Sequence, residues 1–72
     1  MQVREIRTLT TEELQRRLEE SYRELFTLRR ELAMGRLEDH NRLRAVKRDI
    51  ARVKTVLRER ELAAEWVEEA VQ

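Results

Sequence analysis

The sequence predicts an all-α fold, an antiparallel two-helix hairpin preceded by a short N-terminal helical turn, and three observations carry that prediction. The 72 residues contain one glycine, Gly35, and no proline, so the stretch at 34–41 is the one place where a helix readily ends and the chain reverses. On either side of it, apolar residues recur at alternating spacings of three and four, the pattern of a helix packing on another helix. Charged residues make up 43% of the chain with both signs interleaved, which in a proline-free sequence containing Leu and Ala favours long solvated helices over disorder.

Taken in order, residues 1–9 offer only Val3 and Ile6, spaced to suit one helical turn folding back on the rest. At Leu9-Thr10-Thr11-Glu12-Glu13-Leu14 a helix start is better marked. Thr10 is the N-cap, Glu13 its capping-box partner, and Leu9 with Leu14 a hydrophobic staple. Leu14, Leu18, Ser21, Leu25, Leu28 and Leu32 then form a seam with one polar position. Tyr22 and Phe26 lie on its flank, and Glu12/Arg16, Glu13/Arg17 and Glu19/Arg23 are set at i, i+4 as surface pairs. Beyond the glycine, Asp39 or Asn41 can cap a second helix whose seam is Leu43, Val46, Ile50, Val53 and Leu57. Two rods of about 23 residues, each about 35 Å long, joined by so short a connection, are most simply antiparallel neighbours. Past Leu57 the register changes. Arg60 takes a seam position, while Leu62 and Trp66 rotate to the opposite face, so the second helix is expected to overshoot its partner and present a different apolar surface.

Composition bounds the function. With 40% hydrophobic residues and Trp66, Tyr22 and Phe26 as the only aromatics, the chain has little material for a core and folds marginally alone. Without cysteine there is neither a disulfide nor a thiolate metal site. No apolar run exceeds three residues and no signal-peptide core precedes the first helix, so a soluble, cytoplasmic protein is expected. A single histidine and scattered glutamates on a two-helix rod give no convergent catalytic constellation, so neither enzyme activity, a small-molecule substrate, a cofactor nor a bound metal is expected.

The net charge of +1 conceals a strong asymmetry. Residues 36–60 hold nine Lys/Arg against four Asp/Glu, whereas residues 61–72 hold four Glu and no Lys/Arg. On a helical projection at about 100° per residue from Leu43, the second seam centres near about 310°, and Lys54, Lys47, Arg58, Arg44, Arg48 and Arg52 fall between about 20° and 180°. Asp49 and Glu59 lie off the centre of that arc, while Ala51 and Thr55 within it are small enough to admit a phosphate backbone. A solvated face would explain most charge runs, but six cations on one arc favour a nucleic-acid surface. No DNA-reading motif and no aromatic stacking platform accompany it, which favours the shape and backbone of structured RNA. His40 suits either an RNA contact or a helix-start surface position, and Met34 suits packing at the hairpin end. Leu62 and Trp66 suit either contact with a neighbouring protein or internal packing.

The residues also carry a family resemblance. Leu25-Phe26-Thr27-Leu28-Arg29, Leu32-Ala33-Met34-Gly35-Arg36-Leu37-Glu38 and the block from Arg42 through Ile50-Ala51-Arg52 and Thr55-Val56-Leu57 to Arg60 resemble the bacterial large-subunit ribosomal protein L29 family. The start, Val3-Arg4-Glu5-Ile6-Arg7 and then Leu9-Thr10-Thr11-Glu12-Glu13-Leu14, is similar as well. The resemblance implies a helical hairpin lying on large-subunit rRNA near the polypeptide exit tunnel. It would adjoin ribosomal protein L23, close to where nascent-chain factors dock. Carried onto this sequence, rRNA contacts would fall on Arg44, Lys47, Arg48, Arg52 and Thr55, with Arg36 nearby; the basic arc adds Lys54 and Arg58, and His40 stands beside them. Arg30-Glu31 stands where relatives often have an aromatic-Gln pair, and Arg36 where Gln usually follows the glycine.

The expected organisation is therefore a helical, rRNA-binding hairpin over 1–60 and an acidic extension over 61–72 that continues the second helix, with Leu62 and Trp66 as its protein contacts. A competing reading is a free coiled-coil adaptor whose seam pairs with another chain and whose basic face is merely solvated. A third is an amphipathic helix on a membrane surface, which the matching length of the two seams argues against.

Overall fold

The computed structural model describes the backbone of residues 2–71 and the side chains of residues 2–68; positions 1 and 72, the outermost of the two expected segments, lie outside the described residues. Three helices follow one another: α1 (Val3–Ile6), α2 (Thr11–Ala33) and α3 (His40–Val71). α2 and α3 pack antiparallel, and α1 folds back onto α3, giving a rod of 56 × 20 × 16 Å.

Each boundary has a local cause. The Thr10 side chain accepts the Glu13 backbone N–H at 3.1 Å, satisfying one of the unpaired donors of the first turn of α2, and Leu9 packs beside Leu14 as the staple requires. At the far end α2 closes in a Schellman motif. The Arg36 N–H reaches back to the Glu31 carbonyl at 2.8 Å, the Gly35 N–H bonds to the Leu32 carbonyl at 3.0 Å, and Gly35 takes φ +71. Leu37 then tucks against the Leu25–Leu43 cluster. Of the two candidate caps for the second helix, Asp39 fills the role, its Oδ1 accepting the Asn41 N–H at 2.9 Å immediately before α3.

The two seams meet as expected, so the chain's own hairpin consumes both. Leu25, Leu28, Leu43, Val46 and Ile50 form one buried cluster near the turn, with Leu18 and Leu37 packed against it. Ile6, Leu14, Val53 and Val56 form a second at the open end, joined by Val3, Leu9, Leu18 and Leu57. Nine apolar side chains are buried among the described residues, and no buried polar side chain is left without a partner among them.

Three details differ from the sequence pattern. Leu32 is 44% exposed because the α3 seam begins only at Leu43, so the polar stretch before α3 lies where its partner would be, and Leu37 covers the cluster instead. Val56, off the seam, is buried because α1 brings Ile6 against that flank of α3. The i, i+4 pairs expected on α2 give way to pairs elsewhere among the described residues: Arg42 with Glu24 across the hairpin, Arg7 with Glu59 between α1 and α3, and Arg58 with Glu61.

Arg60 occupies a seam position at the open end. Its guanidinium donates to the Leu9 carbonyl at 2.6 Å, the Thr11 hydroxyl at 3.1 Å and the Arg7 carbonyl at 3.4 Å, tying the α1–α2 connection to α3. Beyond that clamp α3 continues to Val71, with Leu62 39%, Trp66 74% and Val67 63% exposed.

Candidate nucleic-acid interface

α3 sorts its side chains by sector. With the seam on α2 and the Val56 flank under α1, the remaining outer face carries Arg44, Lys47, Arg48, Lys54, Thr55 and Arg58, all exposed. Their separation of three, four and seven residues stacks them in two adjacent rows along the helix. His40 opens the same face at the first position of α3, about 60° from Leu43 on the projection, directly below Arg44. Arg36 stands apart, on the turn itself, beside an open hollow of about 480 Å³ whose walls include Arg30, Glu31, Glu38 and Arg42. The structure thus brings His40 and the helix cations onto one surface and leaves Arg36 at its end.

The neighbouring acids are held at the margins. Glu59 is paired with Arg7 at 3.6 Å, and Asp49 is half-buried on the side away from the arc. Arg52, at the edge of the arc nearest α1, is half-buried and engaged in an interaction of its own. Thr55 donates its hydroxyl to the Ala51 carbonyl at 2.8 Å, so what it offers a ligand is small size and an acceptor oxygen. Arg58 shares its guanidinium with Glu61 at 2.9 Å, and both side chains are largely exposed, so that pair is readily exchanged for a stronger anion. The result is an uninterrupted positive strip on a rigid helix, with small residues between the cations.

One contributor has no pattern in the sequence. α1 sets Arg7 at the edge of the strip, across an open groove of about 310 Å³ lined by Arg7, Arg48, Ala51, Arg52, Thr55 and Glu59 among others. The signal that could have found it is the pair Val3 and Ile6 taken with Val56, an apolar residue displaced from the seam by about a quarter turn. Among the described residues there is no group of acidic or histidine side chains placed to hold a metal ion, and no helix is long and apolar enough to cross a membrane.

A family profile described as Ribosomal L29 protein matches residues 4–60, which includes the whole hairpin and stops at the Arg60 clamp. The chain belongs to the ribosomal L29 family. It is 54% identical over 66 residues to the large ribosomal subunit protein uL29 of Streptomyces coelicolor, covering 92% of this chain and 89% of that one. It is 53% identical over 64 residues to uL29 of Geobacillus stearothermophilus, covering 89% and 97%, and 53% identical over 62 residues to that of Finegoldia magna, covering 86% and 91%. Relative to the L29 profile, the positive strip from His40 to Arg58 and the turn residue Arg36 lie inside the matched segment, whereas Leu62 and Trp66 lie beyond it.

Proposed function

We propose that this L29-family protein is a structural constituent of the large ribosomal subunit that binds large-subunit rRNA through the outer face of α3 and carries no reaction of its own. In this reading the unit over 1–60 is the rRNA-binding hairpin and residues 61–72 form a separate acidic extension. It works in the cytoplasm on the ribosome, near the polypeptide exit tunnel, beside ribosomal protein L23 and close to docking nascent-chain factors. The observation that carries the reading is the segregation of charge on α3: Arg44, Lys47, Arg48, Lys54 and Arg58 share one exposed face while Glu59 is bound by Arg7 at its margin. Such a strip suits the phosphates of a folded RNA, and the absence of an aromatic side chain among the cations from Arg44 to Arg58 suits backbone contact over base readout.

The contact also has an energetic use. A partner that binds only the folded hairpin adds to the stability of a core too small to be robust. The test is the salt dependence of binding to large-subunit rRNA fragments. Affinity is expected to fall steeply and linearly on a log–log plot, and Arg48→Ala to reduce the slope by about 0.7–0.9. A slope near zero for the parent protein, or an unchanged slope for the variant, would refute the reading.

A further inference from the structure

The two sides of the hairpin differ in charge. Its long helices run antiparallel with their seams facing, so an equal rotation from each seam leads to the same side. Leu18 with Lys54 and Arg58 lines a groove on one side, and Glu24 with Arg42 and Asp49 lines a groove on the other. In the half nearest the turn the segregation is complete. Tyr22, Phe26 and Arg29 of α2 stand about 65–130° from the α2 seam, and His40, Lys47 and Arg44 about 90–150° from the α3 seam in the same sense. No acid from residues 22–33 or 40–51 shares that side, because Glu24, Glu31 and Asp49 all lie about 70–95° from the seams in the opposite sense. The aromatic pair is open to solvent, Tyr22 being 44% and Phe26 66% exposed, one helical turn apart. Packing of Leu25 and Leu28 with Leu43, Val46 and Ile50 sets both rings level with Lys47 across the hairpin. Arg29, Arg44 and Lys47 are exposed and enter no ion pair among the described residues.

We infer that the RNA surface spans both long helices: Phe26, with Tyr22 beside it, stacks an unpaired nucleotide whose neighbouring phosphates are held by Arg29 of α2 and by Lys47 and Arg44 of α3. The proposal rests on the rRNA reading above and adds α2 to it. Charge and shape select the occupant together. Two open rings among cations, with no acid on their side, suit a polyanion that has flat apolar faces of its own, and an RNA with a base turned out of its helix is such a ligand. The patch is also continuous with the positive strip, because Lys47 belongs to both. Stacking takes a base by its face. It therefore adds an anchored nucleotide to the phosphate contacts without base-edge readout, and a share of affinity that salt does not screen.

Binding of the full chain to large-subunit rRNA fragments across a salt series gives two readouts for each variant, affinity and slope. Phe26→Ala should weaken binding about tenfold at every salt concentration with the slope unchanged, Phe26→Trp should retain the affinity, and Phe26→Leu should not. Arg29→Ala should reduce the slope by about 0.7–0.9, while Arg17→Ala, on the acidic side, should leave it as it is. Phe26, Arg29 and Arg17 are all exposed, and helical circular dichroism checks that each variant keeps its fold. On intact large subunits, Phe26→p-benzoylphenylalanine should give an adduct with rRNA. Unchanged affinity in Phe26→Ala, full rescue by leucine, an unchanged slope in Arg29→Ala, or an adduct with protein alone would each overturn the inference. A parent slope near zero would instead remove the rRNA reading itself. A steep parent slope that falls with Arg48→Ala, while Phe26→Ala and Arg29→Ala change nothing, leaves that reading standing and removes this one.

Discussion

Arg60→Ala should be the most damaging substitution of any cation in the protein, for reasons that lie in the backbone it holds. Its three acceptors belong to residues 7 and 9 of the connection between α1 and α2 and to Thr11, the first residue of α2. The bond to the Leu9 carbonyl, at 2.6 Å and partly buried, is the principal one; the bonds to Thr11 and Arg7 are exposed and add less. A hydrogen bond from a charged donor is worth about 1.5–3 kcal/mol, and removing the donor leaves the Leu9 carbonyl without that partner, so a loss of about 2–3 kcal/mol is expected. For a domain of this size that corresponds to a fall in Tm of about 8–24 °C. It is also a large share of a total that, at ~0.05–0.15 kcal/mol per residue, amounts to only about 4–11 kcal/mol.

Urea unfolding of the isolated chain, followed by helical circular dichroism, measures the effect, with Arg58→Ala as control. Arg58 pairs with Glu61 where both side chains are more than 60% exposed, so its loss should stay within about 0.5 kcal/mol. Arg60→Lys separates charge from geometry. An ammonium cannot span three acceptors that a planar guanidinium reaches together, so less than half of the stability should return. If Arg60→Ala cost no more than Arg58→Ala, or if lysine restored the full stability, the clamp would have no role beyond a solvated charge.

Two further substitutions probe the turn and the N-terminal lid. Gly35→Ala should cost about 1–2 kcal/mol in the same unfolding experiment, through backbone strain alone, since φ is +71 and nothing lies within 4 Å of an added Cβ. Gly35→Asn should cost less, and an equal loss for both would point to packing instead. Ile6→Ala should remove about 2–5 kcal/mol, because Ile6 is fully buried against Leu14, Val53 and Val56; a change under 1 kcal/mol would mean that α1 is not part of the core.

The hairpin was legible because its determinants are local or periodic. Gly35 is the only residue able to take a left-handed φ without strain, Thr10 announces α2, and two seams of matching spacing name each other as partners. What escaped the pattern depends on where elements end and on a third element too short to have a period. Leu32 follows the seam in spacing but lies beyond the first α3 residue that could cover it. Val56 breaks the seam in spacing yet is 3% exposed, because one turn of helix around Ile6 arrives from the side. Four residues cannot show amphipathicity, so their packing appears only once the chain has folded back.

The candidate site divides along the same line. Which cations share a face follows from the helical repeat, and α3 is long and regular enough that the projection from Leu43 gathers Lys47, Arg44, Arg48, Lys54 and Arg58 on one exposed face. Which charges are committed elsewhere does not follow, because those choices are made between elements far apart in sequence. Arg42 pairs with Glu24 across the hairpin, Glu59 pairs with Arg7, and Arg60 binds the carbonyls of the α1–α2 connection. Of these contacts, the one between Glu59 and Arg7 bears on the strip, because it binds the acid at its edge. The fold therefore sharpens the electrostatics that the composition only outlines: the acid at the margin is bound, Arg44, Lys47, Arg48, Lys54 and Arg58 face outward, and the change of sign along α3 falls at the clamp where the hairpin ends.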